Sequence, residues 1–307
     1  MTLALTDPPR HKQLRNIVAQ WFTAPAVRSL DRDMHNAVRN TLMKVAELGE
    51  CDFLHDVSGR LSMYVIGYMM GIPEQDHEAI FRWTNEAFEA HVSLAQHPEL
   101  MTYFIDLMDQ RIAEPADDLV SALVGGTIDD EPLTEEEVLL NCENLVGATE
   151  NGRLSIAGGM QAFLEYPDQW QRLQEDPGLL SGAIEEILRW TSSAAHSMRS
   201  VTTPHVMHGQ QLEAGDWVAV WIPSANRDES VFHEPDRFDI GRTPNRHLAL
   251  GNGEHVCLGS ALARSQMRIL FSELLARYHI EPNGPARKVR SIAVRGPEAL
   301  PIRISPR

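Results

Sequence analysis

The segment His247-Leu-Ala-Leu-Gly-Asn-Gly-Glu-His-Val-Cys257-Leu-Gly-Ser-Ala-Leu-Ala-Arg264 concentrates residue types able to do chemistry. Gly251 and Gly253 precede a lone cysteine, and Gly259 opens a run with helical character. Glycine reaches left-handed backbone conformations at little cost, so such a loop can wrap tightly around a bound group. Cys257 stands just before the expected helix start, where backbone N–H groups and the helix dipole favour an anion. A thiolate held this way is a metal ligand. No second cysteine and no Cys-x-x-Cys pair lies near it, which disfavours tetrahedral zinc. One thiolate on an iron held by a macrocycle fits better. The competing reading is a buried structural cysteine in a glycine-rich turn.

Other residues gain meaning from spacing. His11 and Arg15 are four apart in an amphipathic pattern from Asp7-Pro-Pro through Trp21, so they share one helix face. Arg suits bidentate binding of a carboxylate. Glu186-Ile-Leu-Arg189 puts an acid and a base one helical turn apart, followed later by Pro235-Asp-Arg237-Phe238.

The elements that must hold these residues are mostly helical. Periodic patterns predict helices over 26–47, from Cys51 to Met70 with a stop at Gly71-Ile-Pro73, and over 75–92 and 99–111. Phe81, Trp83 and Phe88 read as core. Loops are expected at 115–118 and 125–132. Thr134-Glu-Glu-Glu137 is a capping box that starts one long helix to about Tyr166. Gly147, Ala148 and Gly152 within it imply close packing or a distortion. Beyond Arg189 the pattern turns to strands at 193–198, 205–212 and 217–222, with a closing hairpin over 291–304.

The chain has 307 residues, 43% of them hydrophobic, enough for a sizeable core. A net charge of −16 argues against a nucleic-acid partner. Three scattered cysteines argue for a reducing compartment without disulfides. No apolar run reaches membrane-span length and the first residues form no signal peptide, so a cytoplasmic location is expected.

Residues 247–264 resemble the haem-binding loop of the cytochrome P450 family, patterned Phe-Gly-x-Gly-x-His-x-Cys-x-Gly. Gly251, Gly253, His255, Cys257 and Gly259 match, and Leu250 replaces the phenylalanine. That ring shields the sulfur side of the haem in the family, so a modest change in ligand electronics is expected. The segment from Asp7 to Arg15 resembles the family's Asp-Pro-Pro-x-His-x-x-x-Arg motif on helix C. The resemblance implies a cytochrome P450 fold, mainly α with small β-sheets. It also implies one haem-thiolate domain over 1–307, and haem b as cofactor, with Cys257 the iron ligand. His11, Arg15, Arg199 and His255 are then expected on the haem carboxylates. Glu186, Arg189 and Arg237 are expected as a buried structural cluster. Glu150 matches the acid of the family's central-helix pattern Ala-Gly-x-Glu-Thr-Thr, while Asn151 and Gly152 stand where its two threonines do. The family's threonine relays protons to bound oxygen, which makes Glu150 and Asn151 the expected catalytic pair. Val146, Gly147, Ala148, Ala194, Ala195, Ile292 and Ala293 are expected pocket walls. Their small or apolar character suits a hydrophobic substrate.

The family's segment before helix C has no counterpart here. The fold is therefore expected in N-terminally truncated form, either because the sequence starts late or because this is a shortened member. In the second case an exposed face prone to self-association is expected. The implied activity is oxygen insertion into a C–H bond of a hydrophobic small molecule, as in natural-product tailoring. Electrons would come from a ferredoxin and its reductase or a similar donor. Arg10, Lys12, Arg242, Arg246 and Arg268 could form its docking patch, although scattered solubilising charge explains them as simply. Two other classes share part of the pattern. One is a haem-thiolate enzyme with peroxide-driven, coupling or nitrene-type chemistry, motivated by Asn151. The other is a non-catalytic relative that assists a partner enzyme.

Overall fold

Thr134 opens the central helical rod. Its hydroxyl accepts the Glu137 N–H at 3.2 Å while the Glu137 carboxylate accepts the Thr134 N–H at 3.2 Å, so two orphan donors are satisfied reciprocally. In this computed structural model, which describes residues 1–90 and 92–307, the rod is two helices rather than one. Taking the helices in chain order, α1 spans Arg10–Ala19, α2 Ala24–Ser29, α3 Asp31–Leu48 and α4 Arg60–Met69. Next come α5 at His77–Glu89, α6 at Pro98–Ala113 and α7 at Leu119–Val124. The rod itself is α8 at Glu135–Gly147 and α9 at Thr149–Glu165, interrupted at Ala148. Then follow α10 (Pro167–Glu175), α11 (Leu180–Thr191), α12 (Ile222–Ala225) and α13 (Ser260–Arg277).

Two glycines let α11 approach α9. A Cβ on Gly158 would lie 2.5 Å from Thr191 Cγ2, and one on Gly159 would lie 2.7 Å from Ile187 Cγ2. Only glycine allows the helices this close. The same stretch of α9 carries Phe163, whose ring packs on Trp170 of α10, Phe238, and Phe271 of α13, with centroids 4.9, 5.5 and 5.7 Å away. These contacts tie α11 and α13 to one core.

The strands are short. β1 (Glu50–Asp52), β11 (Pro301–Pro306) and β8 (Tyr278–Pro282) form an antiparallel sheet in the order β1-β11-β8. Two-stranded sheets pair β2 (Thr127–Ile128) with β3 (Glu131–Pro132), and β4 (His196–Ser200) with β7 (Trp217–Trp221). Two more pair β5 (His205–Met207) with β6 (Gln210–Leu212), and β9 (Arg287–Lys288) with β10 (Pro297–Ala299). The chain is thus mainly α with small β-sheets.

Several sequence expectations need correction. Cys51 lies mid-strand in β1 and does not start a helix, because it pairs with Ile302 far along the chain. A π-helical turn at Phe53–Gly59 follows before α4. The helix expected over 26–47 breaks at Leu30. The loop regions around 115–132 enclose α7 and the β2–β3 hairpin. No hairpin forms within 291–304, since β10 pairs with β9 while β11 pairs with β1 and β8.

Candidate active site

The loop before α13 is fixed by its own backbone. Gly251 and Gly253 hold φ of +71° and +76°, values that favour glycine. The Cys257 N–H donates to Leu250 O at 2.8 Å, folding the loop back so that Leu250 rests against the core. Gly259 caps α13, and its N–H lies close enough to favour charge on the Cys257 sulfur. Burial pushes the Cys257 thiol up, but the Gly259 N–H and the cations Arg15 and Arg264 oppose it. Around the other cysteines, acids reinforce the effect of burial. Cys51 and Cys142 are both pushed up to about 12, by burial first and then by Asp56 and Asp52, or by Asp118. Cys257 is therefore the thiol placed to act as an anionic ligand.

Basic side chains gather beside it. The His11 ring is buried, with its Nε2 lacking any hydrogen-bond partner. It lies 4.0 Å, centroid to centroid, from the His255 ring. Burial, then His11 and Arg199, with Arg15 contributing, push the His255 pKa down against the pull of Asp7. Among the described residues no carboxylate pairs with Arg15 or Arg199. Arg199 donates only to Ser197 Oγ and Met198 O, at 2.8 and 2.7 Å. The sequence-predicted His11, Arg15, Arg199 and His255 are thus brought together as an under-neutralised cationic cluster, which calls for an anionic ligand. Among the described residues no group of three or more His, Cys, Asp or Glu is placed to hold a metal ion. A metal at Cys257 needs most of its ligands from a cofactor. A thiolate, an adjacent cationic cluster and an orphaned buried imidazole fit haem and its two carboxylates.

Helix α9 carries Asn151 in its first turn. Its Oδ1 is buried without a partner. One turn on, Ser155 Oγ donates to Ser193 Oγ at 2.9 Å, so this helix face looks toward the chain entering β4. The helix break is sealed by Thr149, whose Oγ1 donates to Val146 O at 2.6 Å. Glu150 is buried and ion-paired with Arg153. Arg153 also donates to Asn85 Oδ1 of α5 and lies over the Phe88 ring at 5.3 Å. Sequence reasoning missed Arg153, although its one-turn spacing from Glu150 was the available signal.

The expected pocket walls separate. Ala194 bridges Val294, and the Ala195 N–H donates to Ala293 O at 2.9 Å, so these residues adjoin. Gly147 is half-buried, while Ala148, Ala293 and Ile292 are exposed. Val146 and Ala195 are buried, at 0% and 3% exposure, so they present almost no surface to a ligand and leave the set of pocket walls.

The structural cluster also changes membership. Glu186 and Arg189 are both fully buried and joined by two hydrogen bonds of 2.8 Å. Arg189 further donates to the carbonyls of Asn226, Pro235 and Arg237. The third side chain is Arg242, whose Nε lies 3.1 Å from Glu186 Oε2. Arg237 contributes only its carbonyl, because its side chain points outward to Glu234 at 3.1 Å. The docking patch shrinks likewise. Arg10 pairs with Glu137, Arg242 is held by Glu186, and Arg268 pairs with Asp31.

Residues 161–293 match the family model described as Cytochrome P450. The chain is 35% identical to the steroid C26-monooxygenase of Mycolicibacterium smegmatis, over 98% of this chain and 78% of that protein. It is also 35% identical to cytochrome P450 NovI of Streptomyces niveus, over 99% and 77% respectively. Among solved structures, P450 OxyD, involved in the biosynthesis of vancomycin-type antibiotics, superposes with a TM-score of 0.91 at 34% identity, covering 100% of this chain and 80% of that one. P450BioI, solved with an acyl carrier protein, gives 0.90 at 30%, covering 99% and 82%. The chain therefore belongs to the cytochrome P450 family and is an oxidoreductase of the monooxygenase type.

Proposed function

We propose that this protein inserts oxygen into a hydrophobic small molecule, in the tailoring of a natural product, with haem b held by Cys257. One observation carries the reading: the thiol at the α13 start is flanked by cations and adjoins the His11, Arg15, Arg199 and His255 cluster. Bound haem would supply dioxygen activation. The chain's own part is to hold and orient that group. Arg15 and Arg199, with His11 and His255, would neutralise the carboxylates. The Gly259 N–H would steady the charge on the sulfur. Asn151 Oδ1 would orient a donor, either a water or a substrate hydroxyl. Glu150 could deliver a proton only on leaving Arg153.

Hydrophobic substrates are supported by the small and apolar residues Gly147, Ala148, Ala194, Ile292 and Ala293. The steroid named for one relative and the antibiotic pathway named for OxyD point the same way. Electrons would come from a ferredoxin and its reductase or a similar donor. A cytoplasmic setting suits the three free thiols, and among the described residues no helix is long and apolar enough to cross a membrane. The test supplies the haem-loaded chain with ferredoxin, ferredoxin reductase, NADPH and ¹⁸O₂, alongside a panel of steroids, fatty acids and aromatic antibiotics. Products carrying one ¹⁸O atom are expected. Substrate binding without ¹⁸O incorporation across the panel, or turnover with peroxide alone, would favour the non-standard chemistry that Asn151 suggests.

A further inference from the structure

Glu185 and Glu186 are neighbours on α11, and each carboxylate gathers a different stretch of the chain leading to Cys257. Glu186 takes the earlier stretch, accepting from the Asp239 N–H at 2.9 Å, Arg242 Nε at 3.1 Å and Asn245 Nδ2 at 3.0 Å. Glu185 takes the two ends of the loop itself. His247 Nε2 lies 3.1 Å from Glu185 Oε2. Arg264 binds through both arms, Nε to Oε1 at 2.6 Å and Nη2 to Oε2 at 2.8 Å. A forked arginine–carboxylate pair fixes orientation as well as distance. Asn226, fully buried, adds a peg, accepting the Leu248 N–H at 2.7 Å while its amide donates to Ser192 Oγ at 2.9 Å.

We infer that Glu185 is a positioning residue that fastens both ends of the Cys257 loop, His247 at the entrance and Arg264 at the exit, to α11. The loop needs such a clamp. Its own backbone supplies few cross-links, and Gly251, Gly253 and Gly259 leave it intrinsically flexible. α11 in turn is seated on α9 by Gly158 and Gly159, so the sulfur's position is referred to the rigid core. Charge supports the geometry. Burial works against ionisation of Glu185, yet Arg264 and His247 outweigh it and draw the carboxyl down to about 2. Arg264 is close enough to Cys257 for each to affect the other's ionisation, so Glu185 also offsets a cation that the sulfur feels.

The inference rests on the haem-thiolate reading for its purpose, but not for its test. Amide hydrogen exchange, read by mass spectrometry, is followed on peptides covering 247–264 in the full chain, with and without haem. Glu185→Gln is expected to speed exchange there at least tenfold, leaving α3 and α6 within twofold. Two milder variants separate the ends. His247→Gln should loosen 247–250, and Arg264→Lys, which keeps the charge and loses the fork, should loosen 257–264. In the haem-loaded chain, Glu185→Gln should raise the midpoint potential, because Arg264 is no longer offset. Arg264→Lys should move it less. Exchange at 247–264 within twofold of wild type in all three variants would overturn the clamp. So would loosening spread evenly over the chain. Failure of the haem-thiolate reading would instead leave the exchange result intact and remove the potential shift.

Discussion

Asn151 carries a buried acceptor that none of the described residues satisfies. A threonine hydroxyl donates and accepts through one rotating group, whereas an amide does so at separate atoms and carries no exchangeable acid proton of practical use. Asn151 can therefore position a donor, and the proton must come from Glu150, the substrate or bulk water. A capping role for Asn151 at the helix break is not what the structure shows, since Thr149 bonds the Val146 carbonyl instead. If positioning governs the relay, Asn151→Thr keeps or improves product formed per electron consumed, and Asn151→Ala releases hydrogen peroxide. Equal coupling in all three proteins, with full dependence on the redox partner, would defeat that role. At this scale the sequence was most legible where spacing is local, as for Cys257 with its glycines, His11 with Arg15, and Glu186 with Arg189. It was least legible where a partner arrives from elsewhere. Nothing local distinguishes Arg242 from Arg237 as the mate of Glu186; only the course of the chain between Pro235 and Asn245 does.

The junction of α9 with α11 carries the site's framework. A valine at 159 would press into Ile187, which lies two residues from Arg189 and next to Glu186. Overpacking of a core contact typically costs about 1–3 kcal/mol. Gly159→Val should therefore lower the unfolding free energy from urea titration by an amount in that range, seen as a lower midpoint at unchanged slope. Gly152→Ala is the control, because its Cβ would sit 3.5 Å from Ser62 Oγ, an ordinary contact. It should be neutral or stabilise by up to about 1 kcal/mol through helix propensity. Equal losses in both variants would contradict the close-approach account. Helices were readable from their 3.6-residue periodicity, and the capping box at Thr134 gave a start that the hydrogen bonds match. Strand pairing was not readable at all for Cys51 with Ile302, because register across such a separation depends on the assembled fold.

At the scale of the molecule, the β4–β7 ribbon carries an exposed apolar face. Trp217 and Trp221 are 72% and 54% exposed, with Met198 on the same face and Val220 exposed on the other. Two-stranded ribbons expose unpaired edges, and apolar patches of this kind favour association. Sedimentation at rising concentration is expected to show dimers or larger species, weakened by Trp217→Ser with Trp221→Ser. A strict monomer at high concentration would contradict this. The central claim concerns the whole chain as a haem-thiolate protein, and one spectrum addresses it most directly. The haem-loaded chain is reduced, exposed to carbon monoxide, and compared with Cys257→Ala, Cys51→Ala and Cys142→Ala. The account predicts the Soret band characteristic of a thiolate-ligated haem, its position set by the sulfur ligand, in wild type and in both control variants, and its loss only in Cys257→Ala. An unchanged band in Cys257→Ala, or no such band in wild type with haem bound, would contradict it.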